Sequence, residues 1–238
     1  PPGSKWLKDA PLGVPYVPSH GEGGTPFGQW VGAYAPGMPP DIMLPGQGRL
    51  LKAGSDVVLQ MHYTANRKPA TDQTRIGFVF AKTPLKERVV TLASANDKFA
   101  IPPGAPDHTV TSSFTLREDS KLATLLPHMH LRGKSFEMRA VYPTGETEVL
   151  LNVPRYDFNW QLIYRPVEQK LLPKGTKIEC TAKFDNSANN KFNPDPSATV
   201  RFGEQSWEEM MIGFFDVAVA PDMDAADLIR GRRKIAGA

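Results

Sequence analysis

Five histidines and one cysteine are the side chains in this chain best suited to hold a transition metal. Two of them stand in Pro127-His128-Met129-His130-Leu131. On a β-strand, residues i and i+2 project from the same face, so both imidazoles reach one ion. On a helix they diverge by about 200° and do not. The strand reading and the metal reading therefore support each other, although a lone His-x-His is equally compatible with two ordinary surface histidines. The third ligand decides the metal. A blue-copper set needs a cysteine close before a histidine, and no histidine follows Cys180. A cupin needs a glutamate three or four residues after the second histidine, and the nearest is Glu137. A zinc hydrolase built on His128, His130 and one of His20, His62 and His108 stays open. So does a thioether: Glu208-Glu209-Met210-Met211 opens a late apolar run, and methionine sulfur favours reduced copper over zinc. Strand parity groups Met210 with Ile212 and Phe214, so only one of the two methionines faces the ion. Taken alone, the pair reads more readily as core packing.

The elements that must position these residues are short β-type runs. Residues 57–64 alternate Val57, Leu59, Met61 and Tyr63 with polar partners that include His62. Residues 75–81 and 88–92 read as further strands. A turn-rich stretch at 97–107 marks a boundary, and a second series comes after it at 108–116, 122–131, 136–142, 147–152, 177–184, 198–202 and 210–219. Residues 222–234 read as a helix, acidic early and basic late, interrupted by Gly231. Residues 1–48 are dominated by turn formers, but Trp6, Tyr16, Phe27, Trp30 and Tyr34 argue for a segment wrapped on a core rather than a free linker. The predicted fold is all-β: two antiparallel jelly-roll or β-sandwich domains, the first incomplete, with a short C-terminal helix. The expected limits are 1–100, 101–220 and a tail at 221–238.

Composition narrows the function classes. The 20 Gly and 23 Pro in 238 residues indicate a turn-rich folded chain rather than low-complexity disorder. A net charge of +3 is no nucleic-acid footprint. The apolar run at 210–220 is far short of the roughly 20 residues that cross a bilayer. One cysteine excludes an internal disulfide framework. The opening Pro1-Pro2, without a methionine or a signal peptide, reads as a mature product or an excised fragment.

The segment His128-Met129-His130-Leu131-Arg132-Gly133-Lys134 resembles the His-x-His segment of the copper type II, ascorbate-dependent monooxygenases, the family of the peptidylglycine α-hydroxylating and dopamine β-monooxygenases. Glu209-Met210 matches that family's Glu-Met pair in order and spacing. Leu59-Gln60-Met61-His62-Tyr63 resembles the strand that supplies one histidine to a second copper, and residues 30–44 resemble the stretch leading into it. The similarity runs from about residue 28 to 219.

The resemblance implies that His128, His130 and Met210 hold the copper at which oxygen is activated. It makes His62 one ligand of an electron-supplying copper, cycling between Cu(I) and Cu(II) with ascorbate or another one-electron reductant. The family completes that second site with an adjacent histidine pair. No His-His occurs here, so the expectation is an upstream segment of the same polypeptide that supplies it. Leu126 and Phe214 stand where peptide-amidating members carry arginine and tyrosine, which argues against a peptidylglycine substrate. The implied activity is hydroxylation of a C–H bond in a small molecule with O2, outside the cytoplasm. The alternatives are a non-catalytic copper-binding or interaction module on the same scaffold, and the zinc hydrolase.

Overall fold

A computed structural model describes residues 30–55, 57, 59–64, 67–223 and 225–230. The turn-rich segment before residue 30, with His20, lies outside the described residues. The strands are Gln47–Gly48 (β1), Glu87–Ala95 (β2), Ala100–Ile101 (β3), His108–Thr115 (β4), Ser120–His128 (β5), Gly133–Val141 (β6), Thr147–Val153 (β7), Lys170–Leu172 (β8), Lys177–Phe184 (β9), Val200–Arg201 (β10) and Ile212–Val219 (β11). Among the described residues there is one helix, Ala225–Arg230 (α1), after the last strand.

The strands form a β-sandwich, as the alternation predicts. One sheet has the order β1-β2-β11-β5-β8 and the other β4-β9-β6-β7, with a small ribbon of β3 and β10 beside them. All pairings are antiparallel except that of β1 with β2. Alternate residues of the facing strands make the core: Leu125 and Phe215 from the first sheet, joined by Met211 just before β11, and Phe136, Met138, Ile178, Cys180 and Phe184 from the second. The sheets approach so closely at Gly213 that a Cβ there would stand 2.5 Å from the Cys180 sulfur. Glycine is required at that point by proximity rather than by backbone conformation.

A register shift at Asp216/Val217 inserts one extra residue of β5 opposite β11. It keeps Leu122 and Leu125 both turned to the core and leaves Thr124, Leu126 and His128 on the outer face. The end of the sandwich where β5 runs out and β11 begins gathers the turn at 129–132 and the loops at 154–163, 185–199 and 203–210.

Three expectations change. The turn-rich stretch at 97–107 is not a domain boundary: β2, before it, pairs along its length with β11 and buries Val90 and Leu92 in the shared core. The sandwich therefore starts at least 14 residues before the expected limit of 101. The described residues of 57–64 and 75–81 form no strand. Alternation creates a strand only where a neighbouring strand satisfies its backbone, and here Tyr63 and Phe80 stay about 70% exposed. Finally, residues 222–223 are not helical and the described part of the helix is Ala225–Arg230, anchored by the buried Leu228; residues 231–238 lie outside the described residues. No helix among the described residues is long and apolar enough to cross a membrane.

Candidate metal centre

His128 is the last residue of β5 and is paired with Ile212. Its ring and that of His130 have centroids 5.2 Å apart and planes at 83°. The two imidazoles are adjacent, but β5 stops at His128 rather than at 131, so His130 is placed by the turn that follows and not by strand parity. Alternation does separate the methionines. Met211 is fully buried in the core, whereas Met210, two residues before Ile212, belongs to the outer face and is half-buried.

The hydrogen bonds of the two rings decide which nitrogen each presents. His128 Nδ1 is 2.6 Å from Gln161 Oε1. The Gln161 amide is oriented by its own Nε2, which donates to the Phe158 carbonyl at 2.9 Å. A carbonyl oxygen only accepts, so His128 Nδ1 carries the hydrogen and Nε2 keeps its lone pair. His130 Nδ1 is 3.2 Å from the Glu208 carbonyl, with the same consequence. Metal-bound histidines show this pattern, one ring nitrogen donating to an oxygen and the other facing the ion. Burial pushes the His128 pKa down to about 4, reinforced by the charge of His130 and opposed by Gln161. Burial lowers that of His130 as well, against the hydrogen bonds to the Glu208 and Gln205 carbonyls. Both rings are neutral at pH 7, the form that binds a metal.

The backbone between them is held by side chains. Tyr156 Oη accepts from Met129 N at 3.0 Å and donates to Met129 O at 2.7 Å. The fully buried Glu209 accepts from His130 N at 2.8 Å and from Arg132 N at 2.6 Å. Burial raises the Glu209 carboxyl to about 8, against those hydrogen bonds and the Arg132 guanidinium. Arg132, itself 1% exposed, is tied to Asn186 Oδ1 at 2.7 Å and to the Trp207 carbonyl at 2.8 Å. Glu209 therefore couples the turn that carries His130 to the segment that carries Met210. The sequence singles out Glu209 only as the neighbour of Met210; its clamp on the histidine turn is a structural finding.

Aromatic rings wall the pair on both sides. Phe158 meets His130 edge-on at 6.1 Å, and Phe214 lies 6.4 Å from His128. Trp30 covers Phe214 at 5.0 Å. The segment bearing Trp30 is fastened to the sheet by Arg49, which donates to Asp216 at 2.7 Å.

The other predicted residues are scattered. His62 lies in irregular, exposed backbone, near enough that its charge lowers both His128 and His130. His108 opens β4 in the opposite sheet, paired with Phe184. Cys180 is a core residue whose thiol burial raises to about 12. Among the described residues, no three His, Cys, Asp or Glu side chains converge as a metal site. Sequence reasoning missed Gln161, Tyr156 and Phe158. All three come from the loop at 154–163, where the only local signal is turn chemistry: Asp157 accepts from Asn159 N at 2.8 Å.

No protein-family model and no curated protein matches the chain. Similar solved structures include that of infectious bursal disease virus Gt strain, at 14% identity and a TM-score of 0.31, covering 66% of this chain and 38% of that one. The VP2 subviral particle of the same virus gives 10% identity and a TM-score of 0.30, covering 62% of this chain and 37% of that one. Dimeric latent PorU from Porphyromonas gingivalis gives 10% identity and a TM-score of 0.20, covering 60% and 13%. The chain thus spans about 38% of the length of the first of these. These findings correct the resemblance to the copper type II, ascorbate-dependent monooxygenases. No family model and no curated protein aligns with the chain. The oxidoreductase, monooxygenase, secreted and periplasmic assignments that the resemblance implied lose that support.

Proposed function

We propose that the chain binds one copper ion through His128, His130 and Met210, and that the bound metal serves O2-dependent hydroxylation of a small molecule. The observation that carries the reading is the presentation of the pair. Two neutral imidazoles stand with ring centroids 5.2 Å apart at and just beyond the end of β5, each with Nδ1 held against an oxygen. A half-buried thioether, that of Met210, supplies the soft third donor, which favours copper over zinc. The zinc-hydrolase reading needs a third hard ligand, and none joins the pair among the described residues.

When bound, copper supplies one-electron redox chemistry and an open position for dioxygen, with ascorbate or another external reductant delivering the electrons. The chain's own residues do the rest. Gln161 and the Glu208 carbonyl hold the two rings in the required tautomer. Tyr156 and Glu209 hold the backbone between them. Phe158, Phe214 and Trp30 exclude water and offer an apolar wall to a substrate.

The test is metal titration of the purified chain with Cu(I), Cu(II) and Zn(II), then X-ray absorption of the reduced form and paramagnetic resonance of the oxidised form. Nitrogen coupling in the oxidised form, and a copper–sulfur distance in the reduced form that disappears in Met210→Ile, support the site. Preferential zinc binding indifferent to Met210→Ile would sink it. Reductant-driven O2 uptake that His128→Ala abolishes supports catalysis. Copper binding without uptake supports the non-catalytic module instead.

A further inference from the structure

A concavity of about 430 Å³, lined in part by Tyr156 and Phe158, opens among residues of the loops at 154–159 and 189–192. Its volume falls within the roughly 300–1,000 Å³ of small-molecule sites. Its chemistry differs from that of the metal centre. Tyr156, Phe158 and Phe192, the last 54% exposed, line it with their rings, and Lys191 Nζ lies 5.1 Å from the Phe192 ring centroid. The Tyr156 hydroxyl is already spent on Met129, so Tyr156 offers only its ring.

The charged groups of the lining sort into engaged and available ones. Lys134 is bound to Asp107 at 2.7 Å. Asp157 and Asp185 each accept a backbone N–H two residues on, at 2.8 and 2.9 Å. Arg155 and Lys191 form no ion pair with a carboxylate among the described residues, and both are exposed at the rim. Ring walls with two available cations fit a ligand that has a flat apolar body and an anionic edge. A guanidinium takes a carboxylate bidentately, and an ammonium beside an aromatic ring adds a second contact.

We propose that this groove is a binding site for a ring-bearing carboxylate, gripped by Phe158 and Phe192 on its faces and by Arg155 and Lys191 at its charged edge. The site does not rest on the metal reading. It shares Tyr156 and Phe158 with the metal centre, but none of its polar contacts involves a metal ligand.

The test uses the chain in the presence of a chelator, with benzoate as probe and benzamide and acetate as controls. Affinity is measured by calorimetry, and location by NMR contacts from the probe ring to Phe158 and Phe192. Benzoate is expected to bind saturably and about tenfold more tightly than either control, the ratio that one charge-assisted hydrogen bond of roughly 1.4 kcal/mol gives. Arg155→Gln and Lys191→Gln should each weaken it several-fold, while His128→Ala leaves it unchanged. Both substituted residues are exposed, so each single variant should fold as the parent does. The proposal is overturned if benzoate does not saturate, if benzamide binds as well, if contacts map elsewhere, or if neither variant changes the affinity.

Discussion

Asp216 is the residue through which the covering segment is fastened to the sheet, and Asp216→Ala tests that directly. Its carboxylate accepts from Arg49 at 2.7 Å, from Thr91 Oγ1 at 2.5 Å and from Thr124 Oγ1 at 2.7 Å. The Arg49 and Asp216 side chains are only 9% and 7% exposed. Removing one partner of such a buried pair leaves the other charge uncompensated, which costs about 3–5 kcal/mol. Asp41, 3.5 Å from the same guanidinium and 22% exposed, remains as a weaker partner. The expected loss is therefore at the lower end, about 3 kcal/mol. Replacing both charges should behave differently, because a buried ion pair exchanged for apolar groups of similar volume is often neutral or better. Arg49→Met with Asp216→Leu is expected within about 1 kcal/mol of the parent, which makes the two sites strongly coupled.

Urea denaturation monitored by circular dichroism measures the stabilities. Trp30 adds a local readout: its ring lies on Phe214, so release of the segment moves it into water and shifts its emission to the red. The Trp30→Phe variant identifies that contribution. The reasoning is refuted if Asp216→Ala costs less than about 1 kcal/mol with Trp30 emission unchanged, or if the double variant loses the sum of its two singles.

Four further outcomes rest on particular contacts. Gln161→Leu should lower copper affinity by about 10- to 100-fold, and nitrogen NMR should find His128 in both tautomers; a single unchanged tautomer would contradict the assignment. Glu209→Ala leaves the buried backbone N–H groups of His130 and Arg132 without their acceptor, for a loss of about 1–3 kcal/mol each, or a melting temperature lower by on the order of 10 °C; a shift of a degree or two would show that the clamp is dispensable. Gly213→Ala places a Cβ 2.5 Å from the Cys180 sulfur and 3.0 Å from Met138 Cε, so it should cost about 1–3 kcal/mol, and Cys180→Ala should recover part of that. Asp107 bridges Lys134 and Lys183, whose hydrogen bonds hold its carboxyl at about 2. A depressed carboxyl contributes stability above its unfolded pKa of about 3.8 and loses it as pH falls toward 2. Carbon NMR should find its midpoint rising toward the ordinary value when both lysines become methionine.

How far the molecule was legible depends on the range of the interaction that decides each feature. β9 could be read because its rule is local: Ile178, Cys180, Ala182 and Phe184 alternate inward whatever their neighbours are. The separation of the half-buried Met210 from the buried Met211 could be read for the same reason, whereas His130 lies past the end of β5 and is placed by the turn that follows. The place of β2 was hidden because its partner, β11, lies more than a hundred residues later, and nothing in residues 87–95 says which strand will pair with them. Residues 57–64 and 75–81 show the converse, since alternation marks a segment that can pair but does not supply the neighbour.

The tautomer of His128 is the most remote from sequence. It depends on Gln161 Oε1 reaching the ring, which depends on Phe158 O capturing Gln161 Nε2, which depends on Tyr156 pinning its loop to Met129. Each link is an irregular-backbone contact with no periodicity to announce it. Glu209 differs in one respect. It precedes Met210 directly, so the residue that clamps the histidine turn also fixes the segment that carries the methionine into β11. The pairing of those two roles in adjacent residues makes Glu209 the test of whether the three donors behave as one unit. If they do, Glu209→Ala should weaken metal binding at both histidines and at the thioether together, whereas Gln161→Leu should disturb His128 alone.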